Sequence, residues 1–354
     1  MSTPIMRGGY AEIRLEHDNG SRIADVTEIV TSVNWSGDVN EAYRALEVTL
    51  KNTLDMRERR IDFENGDRIR FYNHDEELFR GRIFKFGINH TGDETLTVYD
   101  TNTYLTRSQI TRTFRNVTAS DIFTRVAREY GVTPGEVADT GYRIPKLVAN
   151  GDTLFQLFVK ALTLTEKQNG RRFRIINRQG RVHLEERKAQ VTRQVLESGA
   201  NILSASYSQS IEDLRNRLVM VGGDKDQFRE VRINQQLIDK YGLMAAVESY
   251  SGNEVKRAEV KQAADQKFRE LATINDEANV TCLGINSVTS GSAVYVVERM
   301  TGILGGYYVS SDQHTFTNGK HEMRLTLSAT DDLPRIEVKP EKEPKKPKKK
   351  KEER

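Results

Sequence analysis

The sequence predicts a mixed α+β protein, mainly β. Three observations carry this: apolar and polar residues alternate in the first and last thirds, a 3.6-residue period runs between them, and turn dipeptides sit where hairpins would close. A chain of 354 residues is too long for one ordinary core and implies roughly two or three domains.

Residues 1–112 are expected to form a first small β-barrel or sandwich. No proline occurs between Pro4 and Pro134, so nothing removes an amide from a strand ladder there. Ile13 and Leu15 alternate with Glu12, Arg14 and Glu16. Asn19-Gly20 then suits the positive backbone angles of a tight turn, before Ile23 and Ala24 begin a return strand. Leu46, Val48 and Leu50 alternate with Glu47 and Thr49, and Ile69 and Phe71 alternate with Arg68, Arg70 and Tyr72, so each strand has one dry face. Gly66-Asp67 and Gly92-Asp93 mark turns, with LFRGRIFKF between them expected as a pair of strands.

Residues 113–192 are expected to form a small α/β module. In TASDIFTRVAREYG, residues Ile122, Phe123, Val126, Ala127 and Tyr130 share a helical face, Thr118 or Ser120 can cap its start and Gly131 can end it. GDTLFQLFVKAL repeats the signal, with Asp152 as the cap and Leu154, Phe155, Phe158 and Leu162 as the buried side. A hairpin then turns at Gln179-Gly180, with Val182 and Leu184 pointing one way. Residues 193–333 return to strand pattern as a second barrel or sandwich, whose last hairpin turns at Asn318-Gly319 and alternates Met323, Leu325 and Leu327. Within it, Val260, Ala264, Phe268 and Leu271 fall at helical spacing and predict a helical insertion at about 233–282. Residues 334–354, rich in Lys and Pro, have almost no apolar side chain to offset ordering entropy, so a disordered basic C-terminal tail is expected.

Composition narrows the function. No apolar run approaches the roughly 18 residues of a spanning helix, and the start has no apolar stretch behind a basic segment, so neither a stable membrane association nor a secretory leader is expected. Cys282 is the only cysteine, which excludes an intrachain disulfide and a cysteine-based zinc cluster within one chain. The net charge of +3 divides into +5 from Lys339 onward and −2 before it. A nearly neutral body does not match a dedicated nucleic-acid binder, which carries its basic charge on a folded face. The lysines could bind phosphates weakly, but no aromatic residue interrupts them for base stacking.

No catalytic, cofactor-binding or metal-ligating residue is assigned. His17, His74, His90, His183, His314 and His321 form no HExxH pattern; His314 and His321 flank a hairpin turn and come closest to a metal pair, though histidines hydrogen-bonded to neighbours are commoner there. No GxSxG elbow occurs. Glu76-Glu77 and Asp331-Asp332 lie in polar, turn-like stretches, and Gly222-Gly223 and Gly305-Gly306 lack the phosphate-loop pattern and read as turns. ASDIFTRVAREYGVTPGEVA resembles the first half of a LysM peptidoglycan-binding repeat, with its helix, its YGVT turn and the start of a second helix, which raises a murein-binding or murein-acting alternative.

Three stretches, GDRIRFYNHDEELFRGRIF, YGLMAAVES with the following AEVKQAADQKFREL, and GGYYVSSDQHTFTNGKHEMRLTL, resemble baseplate hub proteins of contractile-tailed phages, especially those of defective Bacillus-type prophages and, more distantly, the T-even hub. The resemblance spans nearly the whole chain to about Leu333. It implies that the two β-domains are tube-type and that three copies form a ring continuing the tail tube. It also implies partners in the tube protein, the central spike and other baseplate proteins, and a place in the tail baseplate of a virion or phage-like particle made in the bacterial host cytoplasm. A non-enzymatic structural adaptor, with no cofactor and no specific nucleic acid, is the expectation.

Overall fold

The computed structural model describes residues 9–187, 194–223, 227–251, 255–330 and 333–336. The expected tail lies outside the described residues except for 334–336, where the Ile336 amide donates to Thr163 Oγ1 and Arg335 pairs with Glu166. The chain divides into two compact units. One comprises the chain up to Ser204, Val280–Glu298 and the chain from Leu304; the other comprises Ala205–Asn279 with Arg299–Ile303.

In the first unit the chain begins with β1 (Ile13–Asp18), β2 (Ile23–Asp25), a 3-10 turn at Thr27–Ile29, β3 (Val30–Asp38), β4 (Ala45–Lys51), β5 (Arg68–Asn73), β6 (Glu76–Ile88) and β7 (Asp93–Asp100). The expected dry faces are there: Leu15, Leu46, Val48, Leu50, Ile69 and Phe71 are fully buried in one core with Phe63, Leu96 and Phe316. LFRGRIFKF is not a strand pair but the middle of the thirteen-residue β6. Gly81 makes no turn. It sits between Ile69 and Asp100 in register, where a Cβ would lie 2.3 Å from the Tyr99 carbonyl oxygen and 2.8 Å from the Phe79 ring, so glycine answers a close approach rather than a bend.

The α/β module follows: α1 (Thr103–Arg107), β8 (Gln109–Thr118), α2 (Ala119–Glu129), β9 (Pro134–Val137), β10 (Arg143–Thr153), α3 (Leu154–Asn169), β11 (Phe173–Arg178) and β12 (Arg181–Glu186). Both long helices open with a capping box, Thr118 with Asp121 and Thr153 with Gln156. Thr153 takes the cap expected of Asp152, whose carboxylate instead holds Lys160 at 2.6 Å. Phe123 and Phe158 meet at 4.9 Å in a core closed by β8, β10 and β12. Gln179 and Gly180 both take positive φ, closing the β11–β12 hairpin across Arg178 and Arg181 as the dipeptide predicts.

The chain continues through β13 (Val195–Glu197), β14 (Ile202–Ser210), β15 (Arg217–Gly222), β16 (Phe228–Ile233), α4 (Gln235–Tyr241), β17 (Ala245–Tyr250), α5 (Arg257–Leu271), β18 (Asn275–Leu283), β19 (Ala293–Glu298), β20 (Ile303–Thr317) and β21 (Lys320–Ser328). The Asn318-Gly319 turn forms as expected, with both φ positive and Met323, Leu325 and Leu327 buried. Gly305-Gly306, however, lies inside β20 rather than in a turn. In the second unit β15 is central, antiparallel to β16 and parallel to β17, with α5 on one face. The inserted body therefore begins at Ala205 and includes a sheet of its own, more than the helical insertion expected at 233–282.

Two separate closed barrels are not what forms. Among the described residues, strands of the first and last regions share one open sheet in the order β14-β18-β21-β20-β3-β4-β7-β6-β5-β1-β2, with β13 and β19 branching beside β20. The physical reason is the antiparallel pairing of β20 with β3, from Ser311 opposite Asp38 to Thr317 opposite Ser32, which uses edges that two independent barrels would each need to close. The mainly β, mixed α+β class stands.

Gly81→Ala should lower stability by about 1–3 kcal/mol through overpacking. Gly87→Ala, at a site where an added Cβ meets nothing within 4 Å, should stay within about 0.5 kcal/mol. Chemical denaturation of the two variants checks the difference.

Candidate functional site

Polar side chains concentrate at the β3–β20 junction. Arg44, just ahead of β4, lays its guanidinium 4.1 Å over the Trp35 ring on β3 and forms a two-pronged pair with Asp312 of β20, one contact at 2.9 Å. Asp312 is fully buried and also accepts the Ser290 amide, so its oxygens are satisfied. Burial alone would raise its pKa; the Arg44 charge and the neighbouring His314 outweigh this and hold the carboxyl well below the usual carboxylate range.

The sequence places His314 and His321 as the nearest thing to a metal pair, and the structure joins them differently. Both are buried. His314 donates through Nε2 to the Val288 carbonyl at 2.8 Å, which leaves Nδ1 to accept from His321 Nε2 at 2.9 Å. The His321 ring stacks on Phe316 at 4.1 Å. Burial, then repulsion from His314 and His74, pushes the His321 pKa down to about 3, so this ring is neutral at ordinary pH. The remaining buried histidines are similarly engaged: His17 contacts Asp67 at 2.7 Å, and His183 accepts the Glu136 amide at 3.0 Å. His74 and His90 are exposed. Among the described residues no three His, Cys, Asp or Glu side chains gather as metal ligands would.

Other titratable groups serve the fold. Asp100 is buried where it accepts the Arg44 and Asn102 amides at 2.9 and 2.8 Å, and burial pushes its pKa up to about 7. Burial pushes the Cys282 thiol up to about 12, which removes its thiolate reactivity. Glu77 pairs with Arg80 and Glu76 accepts from Asn286, while Asp331-Asp332 lies outside the described residues. The LysM-like stretch diverges after α2: Pro134–Val137, where a repeat would start its second helix, is strand β9, parallel to β12. A groove enclosing about 510 Å³ of solvent-open space runs beside α3, with an apolar floor that includes Phe155, Val159, Leu162 and Phe173 and a charged rim where Glu166 pairs with Arg172 at 3.4 Å and Arg174 with Glu185 at 3.0 Å.

What the surface does offer is exposed apolar strand. Val195 of β13 lies opposite Tyr295 of β19, and both are nearly half exposed. Leu203 and Leu304 are exposed as well. The loop between β4 and β5 displays Leu54 and Met56 above a base pinned by Asn52, which accepts the Arg60 and Ile61 amides and donates to Ile61 and Glu94. Exposed strand and rigid apolar loops are the features by which one protein docks on another. Sequence patterning finds the buried faces but not these, because an exposed apolar side chain in a strand looks the same in sequence as a buried one.

A model of the YQBQ-like family matches residues 33–328. The phage-like element PBSX protein XkdQ of Bacillus subtilis (strain 168) is 30% identical over 312 residues, covering 86% of this chain and 94% of the relative. The 43 kDa tail protein of prophage MuSo2 from Shewanella oneidensis superposes with a TM-score of 0.68 at 14% identity, covering 91% of this chain and all of the other. The E. coli c3393 protein, a type VI secretion component described as structurally similar to the T4 tail proteins gp27 and gp5, gives a TM-score of 0.52 at 11% identity, covering 88% and 77%.

The stability advantage of the parent chain over His321→Gln, which keeps a donor for His314, should be full above pH 6.5 and shrink by about 1.4 kcal/mol per pH unit on acidification. The sign follows because the folded pKa of His321 lies below its unfolded value, so the unfolded chain binds the extra proton between 6.5 and about 3. Asp100, raised in the fold, acts oppositely between 3.8 and about 7 but is common to both proteins. Denaturation midpoints from pH 7.5 to 4 check this.

Proposed function

The chain belongs to the YQBQ-like family, and from that premise we propose that it is the structural baseplate hub of a contractile phage or phage-like tail, a homotrimeric adaptor between the tail tube and the central spike. It resides in the tail baseplate of the particle, touches the surrounding baseplate proteins, and catalyses nothing. The observation that carries this reading is the extent of the fold match: the whole length of a prophage tail protein is covered, not one module of it. The likeness to a protein compared in turn with gp27 and gp5 favours a position at the tube–spike junction.

Physical reasoning supports the same role. A ring subunit needs a stiff frame with edges and faces to offer its neighbours, and closed cyclic symmetry lets one pair of complementary patches serve every copy. The thirteen-stranded sheet supplies the frame, and the exposed strand at Val195 and Tyr295 supplies surface. Wall cleavage belongs to a partner, and the lysines after Lys339 act as a solubilising or docking extension with no specific nucleic acid. The murein-binding alternative loses support where β9 replaces the second LysM helix.

Light scattering on the purified chain should give three times the 40.4 kDa subunit mass, and purified peptidoglycan should not retain it. A strict monomer at its highest soluble concentration, or saturable retention on peptidoglycan, would count against the hub.

A further inference from the structure

Among the described residues, α5 covers one face of the second unit's sheet and no helix or strand covers the other. Alternation along β15 sets Leu218 and Met220 against Val260 and Ala264 of α5, and turns Arg217, Val219 and Val221 the other way. Strand register then lays three rows across that opposite face. They are Ile233, Arg217 and Ala245; Val231, Val219 and Val247; and Arg229, Val221 and Ser249. A sheet face left to water is normally polar. Here Val247 is 71% exposed, Ile233 52% and Val231 38%, while Val219 on the central strand is buried, so the accessible apolar surface lies along the two outer strands.

Charge is one-sided on this face. The rows contain Arg217 and Arg229 and no carboxylate, and Arg217 Nε is buried without a hydrogen-bond acceptor. An orphaned buried donor costs free energy until something accepts from it. On the covered face the matching chemistry is complete: α5 brings Asp265 to Arg232 at 2.5 Å, while Arg257 reaches Glu230 at 3.1 Å. The bare face has the strand half of such an arrangement, with apolar rows and arginines, and lacks the helix half.

Size narrows the occupant. Three strands about 4.8 Å apart and five residues at about 3.3 Å give roughly 250 Å². A second copy meeting this face with its own would set arginines against arginines, and since a standard interface needs roughly 800 Å² from each partner, the face serves as one part of a larger contact with an acidic partner. One helix, about 10 Å across, covers the rows. We propose that the open face of β16-β15-β17 docks an amphipathic helix of a partner protein, its apolar stripe flanked by carboxylates that reach Arg217 and Arg229. This goes beyond the hub reading and does not depend on it, because it rests on the second unit alone.

The test uses the full chain and two synthetic helical peptides with one Leu–Ala stripe, the first flanked by Glu and the second by Lys, titrated by fluorescence anisotropy. The Glu peptide should bind saturably and the Lys peptide about tenfold more weakly or worse. Val247→Asp, at an exposed site and with an unchanged melting temperature, should weaken the Glu peptide by a similar factor, and Arg229→Glu should remove the preference for it. Equal binding of the two peptides, no binding of either, or indifference to both substitutions would overturn the proposal. So would sedimentation showing that Val247→Asp separates copies of the chain, which would assign the face to self-association.

Discussion

The pairing of β3 with β20 is the constraint on which the rest of the first unit depends. It joins residues near the start of the chain to residues near its end, across more than 270 positions, and so closes a very long loop. Loop-closure entropy grows only logarithmically with length, so the junction does not need extraordinary energy. It does need a register that cannot slip, because a shift of one residue would turn Val33, Trp35 and Phe316 out of the core. Arg44 and Asp312 supply that specificity. A buried ion pair gains little over apolar packing, but leaving either charge unpaired is costly, and only one register brings the two together.

The same constraint explains why a protein with so many buried ionisable groups shows no reactive centre among the described residues. His314, His321 and Asp312 are neighbours in the fold, an arrangement that could have been catalytic or metal-binding. Each is instead consumed: one ring by a carbonyl and the other ring, the carboxylate by a guanidinium and an amide. Chemistry of this kind fixes geometry. In the ring-forming adaptor that we propose, fixed geometry of the sheet and of the loops it carries is what the assembly would use, with an exposed strand such as β13 backed by that frame.

Local structure was legible in the sequence because its causes are local. Asn318-Gly319 and Gln179-Gly180 predict their hairpins since those pairs accept positive φ cheaply. The α2 and α3 faces follow from apolar spacing and α2's Thr118 cap, although Asp152 and Thr153 were close enough in character for the α3 cap to be placed one residue early. What was not legible is non-local. Nothing around Arg44 announces Asp312, and nothing in Gly81 says whether glycine marks a bend or a close approach. β15 lies in a stretch of strand pattern, but its partner β16 is hidden because apolar and charged residues share both of its faces, Phe228 with Glu230 and Arg232 on one and Val231 and Ile233 with Arg229 on the other, which blurs the alternation a half-buried strand should show. The sequence sets His314 and His321 on either side of one turn, but only the fold shows that the two rings face each other.

A double-mutant cycle on Arg44→Ala and Asp312→Ala tests the central claim most directly. If the junction is locked by this pair, each single substitution costs about 3–5 kcal/mol by stranding a buried charge, and the double variant recovers a coupling of about 2 kcal/mol or more. Costs that simply add, to within about 0.5 kcal/mol, would mean that the two residues act independently and that the β3–β20 register is held by something else.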